Sequence, residues 1–413
     1  MAKRNRVVVT GMGVLAPNGI GLEAFWKSLV AGESGVGPIT LFDATNFKSR
    51  IAGEVKGFDP LDYMEAQWKP KRMGRHTQLA FAATQMALKD ADFDPRIGKP
   101  GTALPVCIGV STSALDVIEN GFRELQVRGP RGVNSGVVRN CQPQAAAHLI
   151  AVKLGVETQA TTISSACNSG IDAIASAASM IGAGKVEFAI AGGADAPVTP
   201  LTVASMASAG LISSFANSDP SRASRPYDAA GESGVVSEGA GILVLENLEH
   251  ALARGAKIHL EITGYAAQMD HDPDDPFGGL ESTMREALAN ARRGARDIDY
   301  ICSYGPGDPV LDTAEVRMIR RVFGAVADHV PVSSIKGVTG NPLAAAGSLQ
   351  LITCALAFKH NTIPPTANHQ TPRVDCDLDF VPGKARKARL NCALINVHGL
   401  GGGNTSMVVE RSR

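Results

Sequence analysis

The feature that most constrains this chain is a recurring short apolar run without polar alternation, set between longer helix-like stretches. Val7 to Val9 is β-branched throughout and ends in Thr-Gly-Met-Gly, which reads as a buried strand entering a glycine turn. Similar runs recur at Val106 to Val110, Phe188 to Ala191, Gly241 to Leu245, Ile258 to Ile262, Tyr300 to Cys302, Cys392 to Val397 and Ser406 to Val409. Helix-like segments separate them, among them Thr77 to Asp90, Asn168 to Gly182, Leu280 to Arg292 and Ala344 to Lys359. Strands that are apolar on both faces need cover on both faces. The alternation therefore predicts an α/β architecture with central sheets sandwiched by helices. The pattern resets near residue 255, which divides the chain into two similar layered halves, residues 1–255 and 256–413, packed helix to helix.

Composition limits the function classes. The 413 residues are 44% hydrophobic, enough for a large core. Forty basic side chains balance forty acidic ones, so no net field draws the chain to nucleic acid or to an anionic membrane. Seven cysteines without CxxC spacing fit reduced thiols and argue against a disulfide scaffold or a zinc site. The opening MAKRNRVVVTGMG has no signal-peptide core, and no apolar run is long enough to span a bilayer, so a soluble, cytoplasmic protein is expected. The run GLGGGN lacks the lysine and following helix of a phosphate loop, which argues against nucleotide binding. Residues 214–234 are polar and rich in turn formers, and predict a long ordered surface loop.

Chemistry concentrates at Cys167. The segment TTISSACNSGIDAIASAASMI passes from a strand-like start through Ala-Cys-Asn-Ser-Gly into a helix of alanines and isoleucines. A cysteine at such a helix start meets unpaired amides and the positive end of the helix dipole, which favour a thiolate. Ser164, Ser165, Ala166, Ser169 and Gly170 around it are small enough to admit an acyl chain. The competing reading is a small buried residue with no chemical task.

At this point the sequence resembles the β-ketoacyl-acyl carrier protein synthases of type II and their polyketide relatives, over essentially the whole chain. The motifs are VVVTGMGVLAPNG, SSACNSGIDAI, AGGADAPVTPL, SRPYDAAGESGVVSEGAGILVLE, VSSIKGVTGNPLAAAG, NTIPPTAN and GLGGGN, in the family order. The resemblance implies a thiolase-like, five-layered αβαβα sandwich that dimerises. It makes Cys167 the acyl-accepting nucleophile, and the amides of Cys167 and Leu400 the oxyanion hole, with Leu400 in the place of the gating phenylalanine. It implies no cofactor, the substrate being carried on the phosphopantetheine of an acyl carrier protein.

The resemblance breaks where malonyl decarboxylation is handled. Two histidines expected there are absent: ICSYGPGDPVLDTAE carries Tyr304 in the first place, and Gly340 is followed by Asn341 in the second. Two threonines that line the pantetheine arm correspond to Pro306 and Asp308, and an anion at 308 would repel a malonyl carboxylate. The family lysine is kept as Lys336, but its usual glutamate is Gln350, which removes a charge partner. His398 stands where the family has phenylalanine, which suggests a Cys167–His398 dyad for acyl transfer; the bland alternative is that the imidazole fills space. The other eight histidines show no metal-ligand spacing.

Two readings follow. One is a non-condensing partner similar to chain-length factors, paired with an active ketosynthase in fatty-acid or polyketide biosynthesis; such relatives commonly lack the cysteine that this chain keeps. The other is an enzyme, a Cys167-dependent acyltransferase or an atypical β-ketoacyl synthase using Tyr304, Asn341 or His398. Partners implied are an acyl carrier protein and a second subunit, in a homodimer or a heterodimer.

Overall fold

The computed structural model describes residues 4–97, 103–272 and 277–412; the first three residues of the opening stretch lie outside them. Ten strands carry the fold: β1 (Val7–Ala16), β2 (Leu104–Gly109), β3 (Thr158–Ile163), β4 (Phe188–Asp195), β5 (Gly239–Asn247), β6 (Leu260–Met269), β7 (Tyr300–Cys302), β8 (Val332–Ser333), β9 (Cys392–Gly399) and β10 (Gly403–Glu410). They follow the order β8-β7-β9-β10-β6-β1-β5-β4-β2-β3, and an eleventh strand, Gly19–Ile20, pairs with β1. From the antiparallel β1–β6 seam outward, each side shows two antiparallel pairings followed by two parallel ones. The sense of pairing is thus duplicated about the seam. The boundary expected at residues 255 and 256 falls in the turn at Gly255, between β5 and β6.

Helices cover both faces. The main ones are α1 (Arg75–Asp90), α2 (Leu115–Arg128), α3 (Ala145–Leu154), α4 (Ser169–Gly182), α5 (Gly278–Ala291), α6 (Pro309–Phe323) and α7 (Ala346–His360). Helix α4 packs on β2, β4 and β5 and meets α7, which packs on β9; α1 and α3 form one outer layer, α5 and α6 the other. The result is the five-layered αβαβα sandwich. Helix α7 is buried continuously from Ala346 to Phe358, as a helix apolar all round must be. Helix α2 has no buried residue and exposes Ile118, Phe122, Leu125 and Val127. Among the described residues no helix is long and apolar enough to cross a membrane.

Two expectations change. The glycine turn after Val9 is strand: β1 runs on to Ala16, because α1 lies so close that a Cβ on Gly11 or Gly13 would sit 2.2 Å from Ala87 O or 1.9 Å from Ala83 O. Glycine here serves close packing, not chain reversal. The loop at 214–234 is on the surface mainly in its first part. From Ala223 most of its second part is buried, with Ala229, Ala230 and Glu232 exposed, and Tyr227 stacks on Phe380 at 4.0 Å between ring centroids.

Candidate active site

Strand β3 runs into the turn Ser164–Asn168, and α4 leaves it. Ala166 adopts φ 55°, a left-handed conformation that a Cβ disfavours, and Ser169 supports it. The Ser169 Oγ accepts from Ser165 N at 2.9 Å and donates to the Ala166 carbonyl at 2.5 Å. This bend points Cys167 into a cavity of about 430 Å³ instead of along the helix. The residue is only 5% exposed.

Tyr304 and Leu400 share the cavity wall with Cys167, and the Tyr304 hydroxyl and the Leu400 amide favour its thiolate. The expected lowering of the thiol pKa does not result. Burial pushes it up, and Tyr304, the Leu400 amide and the Lys336 charge offset that rise only in part. The helix start supplies position more than acidity.

Tyr304 belongs to a braced loop. Its amide and that of Gly305 both donate to the Glu315 carboxylate at 2.9 Å, and Tyr227 Oη donates to the same group at 2.7 Å. The Lys336 ammonium donates to the Tyr304 carbonyl at 2.6 Å and lies 3.9 Å from the centre of its ring. Asn341 Nδ2 donates to the Tyr304 hydroxyl at 3.3 Å, while Asn341 Oδ1 is buried without a partner among the described residues. Burial and the nearby Cys167 push the Tyr304 phenol well above its ordinary range, so it stays a neutral donor.

Lys336 is fully buried, which pulls its pKa down to about 8 against the pull of Glu315. Gln350 does not face it as a charge partner would. Its Nε2 points at the carbonyls of Cys302, Ser303 and Asn396, at 2.9, 2.9 and 3.0 Å. Asp308 lines the cavity and has a structural task as well: its Oδ1 accepts from Val310 N and Leu311 N at 2.9 and 3.0 Å, capping α6.

The glycine-rich segment completes the wall. Gly399 passes so close to the cysteine turn that a Cβ would meet Asn168 Oδ1 at 2.4 Å. Gly401 and Gly402, at φ 94° and 88°, turn the chain back into β10. His398 lines the same cavity, with Nδ1 2.7 Å from Asn404 Oδ1 and its ring 5.0 Å from that of Phe277. His398 and Cys167 line the same cavity, and among the described residues the imidazole is bonded to Asn404, not to the sulfur. Thus Cys167, Tyr304, Asn341, His398 and Leu400 share one cavity, and Lys336 lies behind Tyr304. Sequence reasoning missed Asp270, Phe277 and Asn404; only Asn404 carried a signal, as the last residue of GLGGGN. Chemically, a thiol beside an amide donor in a mostly apolar pocket suits thioester exchange.

Comparison with known proteins agrees in fold and sequence. The family model described as Beta-ketoacyl synthase, N-terminal domain matches residues 4–251, and that described as Beta-ketoacyl synthase, C-terminal domain matches residues 259–370. The chain is 38% identical to 3-oxoacyl-[acyl-carrier-protein] synthase 2 of Vibrio harveyi, covering 100% of this chain and 99% of the relative. It is 37% identical to the tetracenomycin polyketide synthase ketoacyl synthase alpha subunit of Streptomyces glaucescens, over 99% of this chain and 97% of the relative. Among solved structures, the ishigamide ketosynthase/chain length factor superposes with a TM-score of 0.91 at 32% identity, covering 99% of this chain and 100% of the other.

Proposed function

Because the chain belongs to the beta-ketoacyl synthase family, and so to the ketosynthases of fatty-acid and polyketide synthesis, we propose that it is a non-condensing, chain-length-factor-like partner of an active ketosynthase. It handles acyl groups borne on the phosphopantetheine of an acyl carrier protein, in the cytoplasm, and needs no cofactor of its own. The observation that carries the reading is the Asn341 to Tyr304 hydrogen bond beside Cys167, at the two positions where the resemblance expects histidines. An amide cannot act as acid or base, and a phenol held neutral cannot accept a proton. At these two positions, loss of carbon dioxide from malonyl therefore has donors for the developing charge but neither side chain manages protons.

A partner subunit is supported from outside the site. The exposed apolar residues of α2, Ile118, Phe122, Leu125 and Val127, sit on a helix that buries nothing within the chain, and β3 ends the sheet with alternate residues half-buried. The ketosynthase/chain length factor relative is itself named as a pair.

A second reading, Cys167-dependent acyl transfer, is favoured by one observation: Cys167 opens on a cavity that Leu400 also lines, which a merely structural subunit does not need. One reconstitution separates the two. The purified protein is incubated with labelled malonyl- or acyl-loaded carrier protein, alone and with a ketosynthase. Full product formation with Cys167→Ala and no carbon dioxide release by the isolated chain support the partner role. Carbon dioxide released from malonyl by the isolated wild type would overturn it.

A further inference from the structure

Behind His398 the cavity wall contains a polar chain, Asn404 and Asp270, to which neither reading gives a task. Asn404 Nδ2 donates to Asp270 Oδ1 at 2.8 Å and to the Gly402 carbonyl at 3.1 Å. A carboxylate and a carbonyl only accept, so the amide nitrogen must face them and the amide oxygen must face the imidazole. His398 Nδ1, at 2.7 Å from that oxygen, is therefore the donor. The lone pair of the neutral ring is left on Nε2, in a residue that lines the cavity with Cys167.

The sulfur needs such a partner. Its two neighbours, the Tyr304 hydroxyl and the Leu400 amide, both donate, so neither takes its proton. The two carboxylates of the cavity wall are engaged, Asp308 in capping α6 and Asp270 by Asn404 and by Gly279 N at 3.0 Å. The Lys336 ammonium is turned to the Tyr304 carbonyl. Residue 398 is also held near the cysteine by the chain itself, since Gly399, the next residue, passes against the turn that carries Cys167.

We propose that Asp270 and Asn404 are positioning residues that hold His398 in its Nδ1-protonated tautomer, so that Nε2 accepts the Cys167 proton during exchange with a carrier-borne thioester. The proposal rests on the acyl-transfer reading of Cys167. As the sulfur attacks the thioester carbonyl, its proton passes to His398 Nε2 and the carbonyl oxygen gains negative charge next to the Leu400 amide. Collapse breaks the carbon–sulfur bond to the carrier, and the departing thiolate takes the proton back from Nε2. One thioester and one thiol are consumed and one of each is formed, with no oxidant or reductant. Asp270, through Asn404, keeps the ring oriented with its Nδ1–H on Asn404 Oδ1 through both transfers.

The test is single-turnover loading of the full chain with hexanoyl-loaded acyl carrier protein and with hexanoyl-N-acetylcysteamine, followed by intact mass spectrometry. Wild type gains one hexanoyl group on Cys167; His398→Phe loads on the order of 100-fold more slowly, and imidazole added to His398→Ala restores part of the rate. Nitrogen-15 spectra of histidine-labelled protein show His398 protonated on Nδ1 in wild type, and that signature is lost in Asn404→Ala together with most of the loading rate. Loading of His398→Phe at the wild-type rate overturns the relay alone. No adduct on wild-type Cys167 from either donor overturns the acyl-transfer reading, and the relay with it.

Discussion

Tyr304 hands Cys167 a hydrogen-bond donor where a decarboxylating site needs a proton-handling group. Its hydroxyl favours the thiolate, and the burial of the sulfur opposes it. A hydrogen bond to an ionised group contributes about 1.5 kcal/mol, roughly one unit of pKa. Tyr304→Phe removes that donor and keeps the ring on which Lys336 rests, so the thiol rises further and the thiolate fraction at a fixed pH falls about tenfold. The measurement is iodoacetamide alkylation of Cys167 at pH 8, read by mass spectrometry. An unchanged rate means that the phenol does not govern the sulfur. Lys336 adds a pH limit: its charge lowers the thiol pKa, and with a pKa of about 8 that help fades as the solution is made more alkaline.

Among the elements, α6 shows how a residue read for one task carries a second. The sequence places Asp308 beside the cavity, but its carboxylate caps the helix, with Pro309 at the first helical position. That signal was legible, since an N-cap acid followed by proline is a helix start; the motif comparison drew attention to charge instead. Asp308→Ala is expected to lower stability by about 1 kcal/mol, whereas Asp308→Thr keeps a capping oxygen and loses only a few tenths. Urea midpoints separate the variants, and equal losses in both would mean that the carboxylate charge, not the cap, matters. Other parts show the same division. Cys167, Tyr304, Asn341, Lys336, His398 and Leu400 were legible because each sits in a motif with fixed neighbours. Asp270 was not, because it reaches the site only through the β6–β10 pairing, where its amide donates to the Gly402 carbonyl at 2.7 Å. The glycines of β1 were misread for a related reason: only the approach of α1 explains them, and that contact spans some seventy residues of chain.

At the scale of the whole molecule, buried titratable groups make stability depend on pH, and they act in opposite directions. His76, at the head of α1, is fully buried with Nδ1 unpartnered, and burial pulls its pKa down to about 4 from 6.5. As pH falls below 6.5 the unfolded chain takes up a proton that the folded chain refuses, so stability drops until about pH 4. Asp195, at the end of β4, does the reverse. Burial raises it to about 6, even though it accepts from the Ser111, Thr112 and Ala344 amides, so the folded chain holds a proton that the unfolded one has lost and stability rises as pH falls through 6. Asp312, raised by burial to about 8, acts in the same direction over a wider range. The wild-type curve therefore mixes opposing slopes, and a substitution is needed to isolate one of them. His76→Phe keeps a ring of similar shape against Gly74 and removes the titration. Between pH 7 and pH 5 the histidine should cost the wild type about 2 kcal/mol, so the variant gains that much relative to wild type over the same interval. Urea unfolding of both proteins at the two pH values measures the gap, and a gap that stays constant would show that His76 is protonated as readily in the folded chain as in the unfolded one.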